Sequence, residues 1–94
     1  MHIEHIIWLQ EIVEKLVSKH GVTPEEVEEV FLQRPVFHRG PKGQRLGEDL
    51  YYGLGQTEEG RYLFVVFILK ADNQALVLSA RDMDHKERRA FRRR

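Results

Sequence analysis

Two short apolar runs, residues 62–69 and 75–80, flank a polar break, Lys70-Ala71-Asp72-Asn73-Gln74. Both are rich in β-branched and aromatic residues and bounded by turn residues, which predicts a β-hairpin. Neither run alternates apolar with polar side chains, so both strands are expected to be covered on both faces at the centre of a sheet. Upstream, apolar positions 3, 6, 7, 9, 12, 13, 16 and 17 recur with helical spacing and leave Glu4, Glu11, Glu14 and Lys15 to solvent. That spacing predicts a helix over 3–19, stopped by Gly21. Thr23-Pro24-Glu25-Glu26 is a capping box with proline at the first helical position. It opens a second helix to about Leu32, burying Val27, Val30 and Phe31.

Residues 36–38 read as a short strand, 39–47 as a Gly-containing loop and 49–56 as a strand. In the last of these, Gly53 and Gly55 mark a bulge or a close backbone approach. Residues 57–60 form a turn into the hairpin. Asp84-His85-Lys86-Glu87 is a second capping box and starts a basic helix with Phe91 as its only large apolar residue. Such a helix is expected to be held loosely, or by a partner. The fold class is therefore α+β: two N-terminal helices, a three- to four-stranded mainly antiparallel sheet and a C-terminal helix.

At 94 residues the chain is expected to be a single domain, 1–94, with one core. Without cysteine it has neither a disulfide framework nor a thiolate metal site. Acids inside the first apolar stretch argue against a signal peptide or membrane span, so the expected location is cytoplasmic, with no membrane partner. The net charge of zero hides a polarity. Residues 1–33 carry two Lys against seven Glu, residues 34–80 six basic against five acidic side chains, and residues 81–94 seven against three. The N-terminal third is thus net −5 and the last segment net +4. A partner that meets one end of the molecule would see a single sign.

Further motifs follow a definite order. Trp8 stands near the start of the chain, Lys19-His20-Gly21-Val22 ends the first helical stretch, and Glu25-Glu26 and Val30-Phe31 follow. Gly47-Glu48, Leu54-Gly55, Gly60-Arg61 and Val65-Val66 mark the sheet, and Ser79-Ala80-Arg81 is followed by Glu87-Arg88-Arg89. Together these resemble the BrnT family, toxins of bacterial type II toxin–antitoxin pairs with a RelE-like fold. The chain departs from that family at Leu9, Gln10, Ile12 and Leu16, where polar residues or proline are usual. These changes favour one continuous N-terminal helix over a strand followed by a helix. Leu50 and Phe91 stand where the family has arginine and tyrosine, and each removes a group that could meet RNA or move a proton.

The resemblance implies metal-independent cleavage of mRNA, no cofactor, and neutralisation by a co-encoded BrnA-like antitoxin of ribbon-helix-helix type. It leaves a homodimer open. The alternative reading is a non-catalytic relative that binds protein or RNA. Cleavage needs a base for the 2′-hydroxyl, cations at the phosphate and a proton for the leaving oxygen. Arg81 is the leading phosphate clamp, since its planar fork matches phosphate oxygens, against a structural pairing with Asp82, Glu48 or Asp49. Arg61 is a candidate second clamp, set against an ordinary charge at a hairpin end, and is expected to converge with Arg81 beside the KHG corner. His20 and Lys19 are candidates for proton transfer and charge, set against a helix-capping role. Glu87 is a candidate acid or base, set against its place in the capping box. Arg88, Arg89, Arg92, Arg45 and Arg39 are candidate RNA contacts, with His38 and Lys42 helping to frame a cationic groove. Ser79 reads as a strand-end donor. The histidines at 2, 5, 38 and 85 have no ligand spacing, so no metal site is expected.

Overall fold

The central hairpin forms where the two apolar runs place it. In the computed structural model, which describes residues 1–41 and 49–94, these runs are strands β4 (Tyr62–Lys70) and β5 (Gln74–Asp82). They are joined by a 3₁₀ turn, Ala71–Asn73, in which Asp72 and Asn73 take left-handed φ values of 62° and 56°. Asx residues tolerate that conformation best after glycine. The chain begins with β1 (His5–Ile7) and α1 (Gln10–Lys15), which winds on through a π-helical turn, Leu16–His20. Then come α2 (Pro24–Leu32), β2 (Val36–Arg39) and β3 (Asp49–Gln56), and after the hairpin α3 (His85–Arg93). The sheet order is β1-β5-β4-β3-β2, with β1 parallel to β5 and every other pairing antiparallel. The architecture is α+β with a five-stranded mixed sheet.

The fifth strand corrects the expected continuous N-terminal helix. Ile3, Ile6 and Ile7 fit a pleated edge as well as a helical face, and β-branched side chains favour the former. Residues 5–7 pair with 74–76 of β5, whose outer edge would otherwise lie bare. Leu9, extended at ψ 132°, separates strand from helix, so the apolar departures at Leu9, Ile12 and Leu16 do not merge the two.

One face of the sheet carries the main core. Leu63, Val65 and Phe67 of β4 and Ala75, Val77 and Ala80 of β5 are fully buried against Leu16, Val22, Val27 and Val30. Phe31 and Phe37 meet Phe67 edge-on at 5.3 and 5.7 Å between ring centroids. Gly55 makes this packing fit: a Cβ there would stand 2.8 Å from Val30 Cγ1, so β3 reaches α2 only without one. The close approach read from the sequence is real. The ladder irregularity lies elsewhere, between Val66 and Phe67 opposite β5.

The opposite face is only partly covered. α3 docks there through Phe91, which is buried with Leu54 and Met83 and meets Tyr62 edge-on at 5.9 Å. Beyond α3, the residues Leu50, Tyr52, Phe64 and Val66 stay half-buried, while Ile68, the partner of Leu50, is buried at the far end of β4. The apolar character of β4 therefore reflects one sealed face and one open platform, not two sealed faces.

Candidate functional site

Strand register lays out the open platform row by row. Val36, Leu54, Phe64 and Arg81 are successive partners across four strands, and His38, Tyr52, Val66 and Ser79 form the neighbouring row. Tyr52 and Phe64 lie 5.0 Å apart between ring centroids, an aromatic floor at the centre. Arg81 stands at one side of this floor with its guanidinium 4.3 Å above the Phe64 ring. Glu87 Oε1 and Oε2 accept from Arg81 Nη1 and Nη2 at 2.8 and 2.9 Å, a bidentate pair, and Nη1 also donates to the Asp82 carbonyl at 3.0 Å. An arginine has five N–H donors. Among the described residues, the Nε–H and one Nη2–H of Arg81 bond to nothing. Glu87 is fixed in turn by the α3 capping box: its carboxylate accepts from the Asp84 amide at 2.9 Å, and its own amide donates to Asp84 Oδ1 at 2.8 Å. The Arg81 hydrogen bonds hold the Glu87 carboxyl below its ordinary pKa, with burial opposing them.

Arg61 is in a different situation. Its Nε and Nη2 donate to Asp82 Oδ1 and Oδ2 at 2.7 and 3.1 Å, and Nη1 reaches the Glu26 carboxylate at 3.2 Å. Nη1 and Nη2 also donate to the carbonyls of Gly21 and His20 at 2.8 and 3.0 Å. All five donors are spent. Gly21 ends the helical turn in the left-handed region at φ 61°, and the carbonyls it leaves exposed are met by Arg61 from across the fold. Lys19 and His20, read as capping side chains or chemical groups, are exposed, and no hydrogen bond to either side chain is found among the described residues. The positive field of His20 still lowers the Asp82 pKa, behind the larger effect of the Arg61 hydrogen bonds.

The expected convergence of Arg61 and Arg81 is thereby corrected. Arg61 sits with Glu26 and the Lys19-His20-Gly21 corner on the sealed side, and Arg81 lies over Phe64 on the open side. Neighbouring residues of a strand point to opposite faces, and Asp82 and Arg81 carry the two arginines accordingly. Asp82 joins the two clusters, its carboxylate held by Arg61 and its carbonyl accepting from Arg81. A cleft of about 250 Å³ at that strand end brings Arg61 and Asp82 together with Arg88 of α3.

Of the candidate RNA contacts, Arg88 lies 4.6 Å above the Tyr62 ring, and Arg89 Nη2 is 3.0 Å from His85 Nε2. Both line a hollow of about 360 Å³ along α3 with His85, Arg92 and Arg93. Arg39 does not join them. It pairs with Asp49 at 2.7 Å and with the Tyr51 hydroxyl at 3.1 Å, and Tyr51 stacks on Phe67 of the sealed face. Lys42, Arg45, Gly47 and Glu48 lie outside the described residues. Among the described residues, no three His, Asp or Glu side chains stand together so as to hold a metal ion.

An α+β sheet with a C-terminal basic helix, an open aromatic face and an arginine at its edge now has a family to answer to. The family model described as "Ribonuclease toxin, BrnT, of type II toxin-antitoxin system" matches residues 8–87 of the 94. The chain belongs to the BrnT family. No curated protein matches it. As a BrnT protein it is a ribonuclease toxin of a type II toxin–antitoxin system, and its partner is an antitoxin. Among the described residues, no helix is long and apolar enough to cross a membrane. The match begins at Trp8, whose indole Nε1 donates to Glu28 of α2 at 3.3 Å, and ends at Glu87.

Phe64 was missed as a site residue by sequence reasoning. Its neighbours in β4 are all apolar, so only the register reveals that it faces the open side. Asp82 was legible only as an alternative partner for Arg81, yet its carboxylate belongs to Arg61.

Proposed function

We propose that this BrnT protein, of RelE-like kind, cleaves mRNA without a metal, with the strand lying across the open face between β2 and α3. In this reading Tyr52 and Phe64 take an unstacked base and Arg81 takes the scissile phosphate. Arg88, Arg89 and Arg92 hold neighbouring phosphates. The observation that carries the reading is Arg81 itself: a guanidinium with two donors free among the described residues, seated on an aromatic ring beside a carboxylate. Base stacking on an aromatic floor and bidentate phosphate contact are the standard means of holding single strands. Arg61, with every donor spent, serves as a clamp on the fold.

The same pair supplies the chemistry. A phosphate that draws Arg81 away from Glu87 also frees that carboxylate, whose pKa then rises. Glu87 takes the 2′-hydroxyl proton, the 2′-oxygen attacks phosphorus, and the bond to the 5′-oxygen breaks, leaving a 2′,3′-cyclic phosphate and a 5′-oxygen that takes its proton from water as a 5′-hydroxyl. Arg81 stabilises the charge that builds on the phosphoryl oxygens. Lys19 and His20 stand on the other side of the sheet and take no step in this scheme. The protein acts in the cytoplasm, and a ribbon-helix-helix antitoxin silences it.

The test is incubation of the purified chain with RNA in the presence of chelator. Wild type is expected to cleave, Arg81→Ala to lose roughly 10²–10³-fold in rate, and Arg81→Lys to recover only part of it. Undiminished cleavage by Arg81→Ala would remove Arg81 from the site.

A further inference from the structure

The outer edge of β1 is open, and a groove runs beside it. Its floor is Ile3, Ile6, Phe31 and Leu32, its rim carries Glu4 and Glu28, and its volume is about 280 Å³. Leu32 is 84% exposed, the largest exposure among the large apolar side chains described. β1 stands at the end of the sheet order, paired on one side only. The Glu4 amide donates to the Asn73 carbonyl at 2.9 Å, toward β5. Backbone groups alternate in direction along a strand, so the amides and carbonyls of His5 and Ile7 point outward, where the sheet has no further strand among the described residues. Such an edge is a template for another strand, and β1 carries neither lysine nor proline to discourage one.

Charge selects the occupant. The groove is rimmed by Glu4 and Glu28, and residues 1–33 are net −5. A second copy pairing β1 with β1 would bring two acidic surfaces together, which opposes a symmetric dimer here. RNA is repelled for the same reason. The groove suits an extended polypeptide that alternates apolar with basic side chains, the pattern of added-strand recognition.

We propose that the antitoxin docks here, adding a strand to β1, with apolar side chains in the groove and Lys or Arg side chains against Glu4 and Glu28. The proposal rests on the toxin–antitoxin pairing of the BrnT family. It places the partner's grip on the face away from Arg81, so binding and cleavage are separable by mutation.

Two variants test it, with the co-encoded antitoxin purified as the probe. Leu32→Glu alters an exposed side chain and leaves the fold intact, and His5→Pro removes an outward amide without touching the β5 pairing. Each is expected to weaken antitoxin binding by about tenfold or more, with RNA cleavage by the free chain unchanged. Hydrogen exchange of the wild-type complex is expected to protect the amides of His5 and Ile7. Wild-type affinity in both variants, or protection confined to α3 and the open face, overturns the proposal. Self-association of the free chain that Leu32→Glu abolishes also overturns it, in favour of a dimer. A wild-type chain that binds antitoxin through β1 but does not cleave RNA sinks the ribonuclease mechanism and upholds the docking site.

Discussion

Arg61 and Arg81 are chemically identical and stand at neighbouring strand ends, yet the structure gives them opposite employments. What separates them is how many donors each has left. Arg61 binds two carboxylates and two carbonyls, from Asp82, Glu26, His20 and Gly21, and so ties the end of the sheet to both helices of the sealed face. Lysine has three donors on a round ammonium and cannot reproduce a planar five-donor fork. Arg61→Lys is therefore expected to lower stability by about 0.5–1.5 kcal/mol, because Glu26 is partly buried while Asp82, His20 and Gly21 are exposed and water can replace the lost donors. Urea denaturation checks this through a lower midpoint, and the rate of RNA cleavage per folded molecule should stay near wild type. A variant of unchanged stability with no cleavage would return Arg61 to the chemistry. Sequence alone singled out both arginines and put Arg81 first, but it expected them to act together and could not see that Arg61 is spent. The contacts that exhaust Arg61 come from residues up to 41 positions away, beyond any local pattern.

Among the elements, α3 shows how little apolar surface a functional helix needs when polar ties supplement it. Phe91 is its one buried residue, and the Arg81–Glu87 pair, the Asp84 cap and Arg88 over the Tyr62 ring supplement it. Both capping boxes were legible, since their residues are adjacent in the chain and the geometry is local. β1 was not, since three isoleucines satisfy a helical and a pleated spacing equally, and only the vacant β5 edge decides between them. The polar ties make α3 sensitive to acid. Arg81 lowers the Glu87 pKa, and Arg61 lowers that of Asp82. For both groups the unfolded chain binds the proton at a higher pH than the folded one. Their contribution is thus complete above the ordinary carboxylate range, about pH 4, and is lost as pH falls through the depressed folded values. Urea midpoints measured from pH 7 downward should hold level and then drop below that range. Glu87→Gln keeps a capping side chain but not the charge pair, so it should start lower at pH 7 and fall less steeply.

Across the whole molecule, charge is sorted by place as well as by sequence. The acidic third builds β1 and the helices of the sealed face, while the +4 segment carries Arg81 at the edge of the open platform and α3 above it. RNA approaching the molecule is drawn to one face and repelled from the other. Each phosphate contact on a single strand contributes about 0.7 to the slope of log affinity against log salt. With Arg81, Arg88, Arg89 and Arg92 engaged, a slope of about −3 is expected for binding of a non-cleavable 2′-deoxy strand. Replacing Arg89 and Arg92 together with glutamine should shrink that slope by about 1.4, while the aromatic platform continues to hold bases. Arg39 is the control, because it is spent on Asp49 beside Tyr51 on the sealed face. Arg39→Gln should leave slope and affinity as they are, although by charge alone it should cost half as much as the double replacement. Equal losses from all three arginines would mean that net charge governs RNA binding, and that the open face has no special claim on the strand.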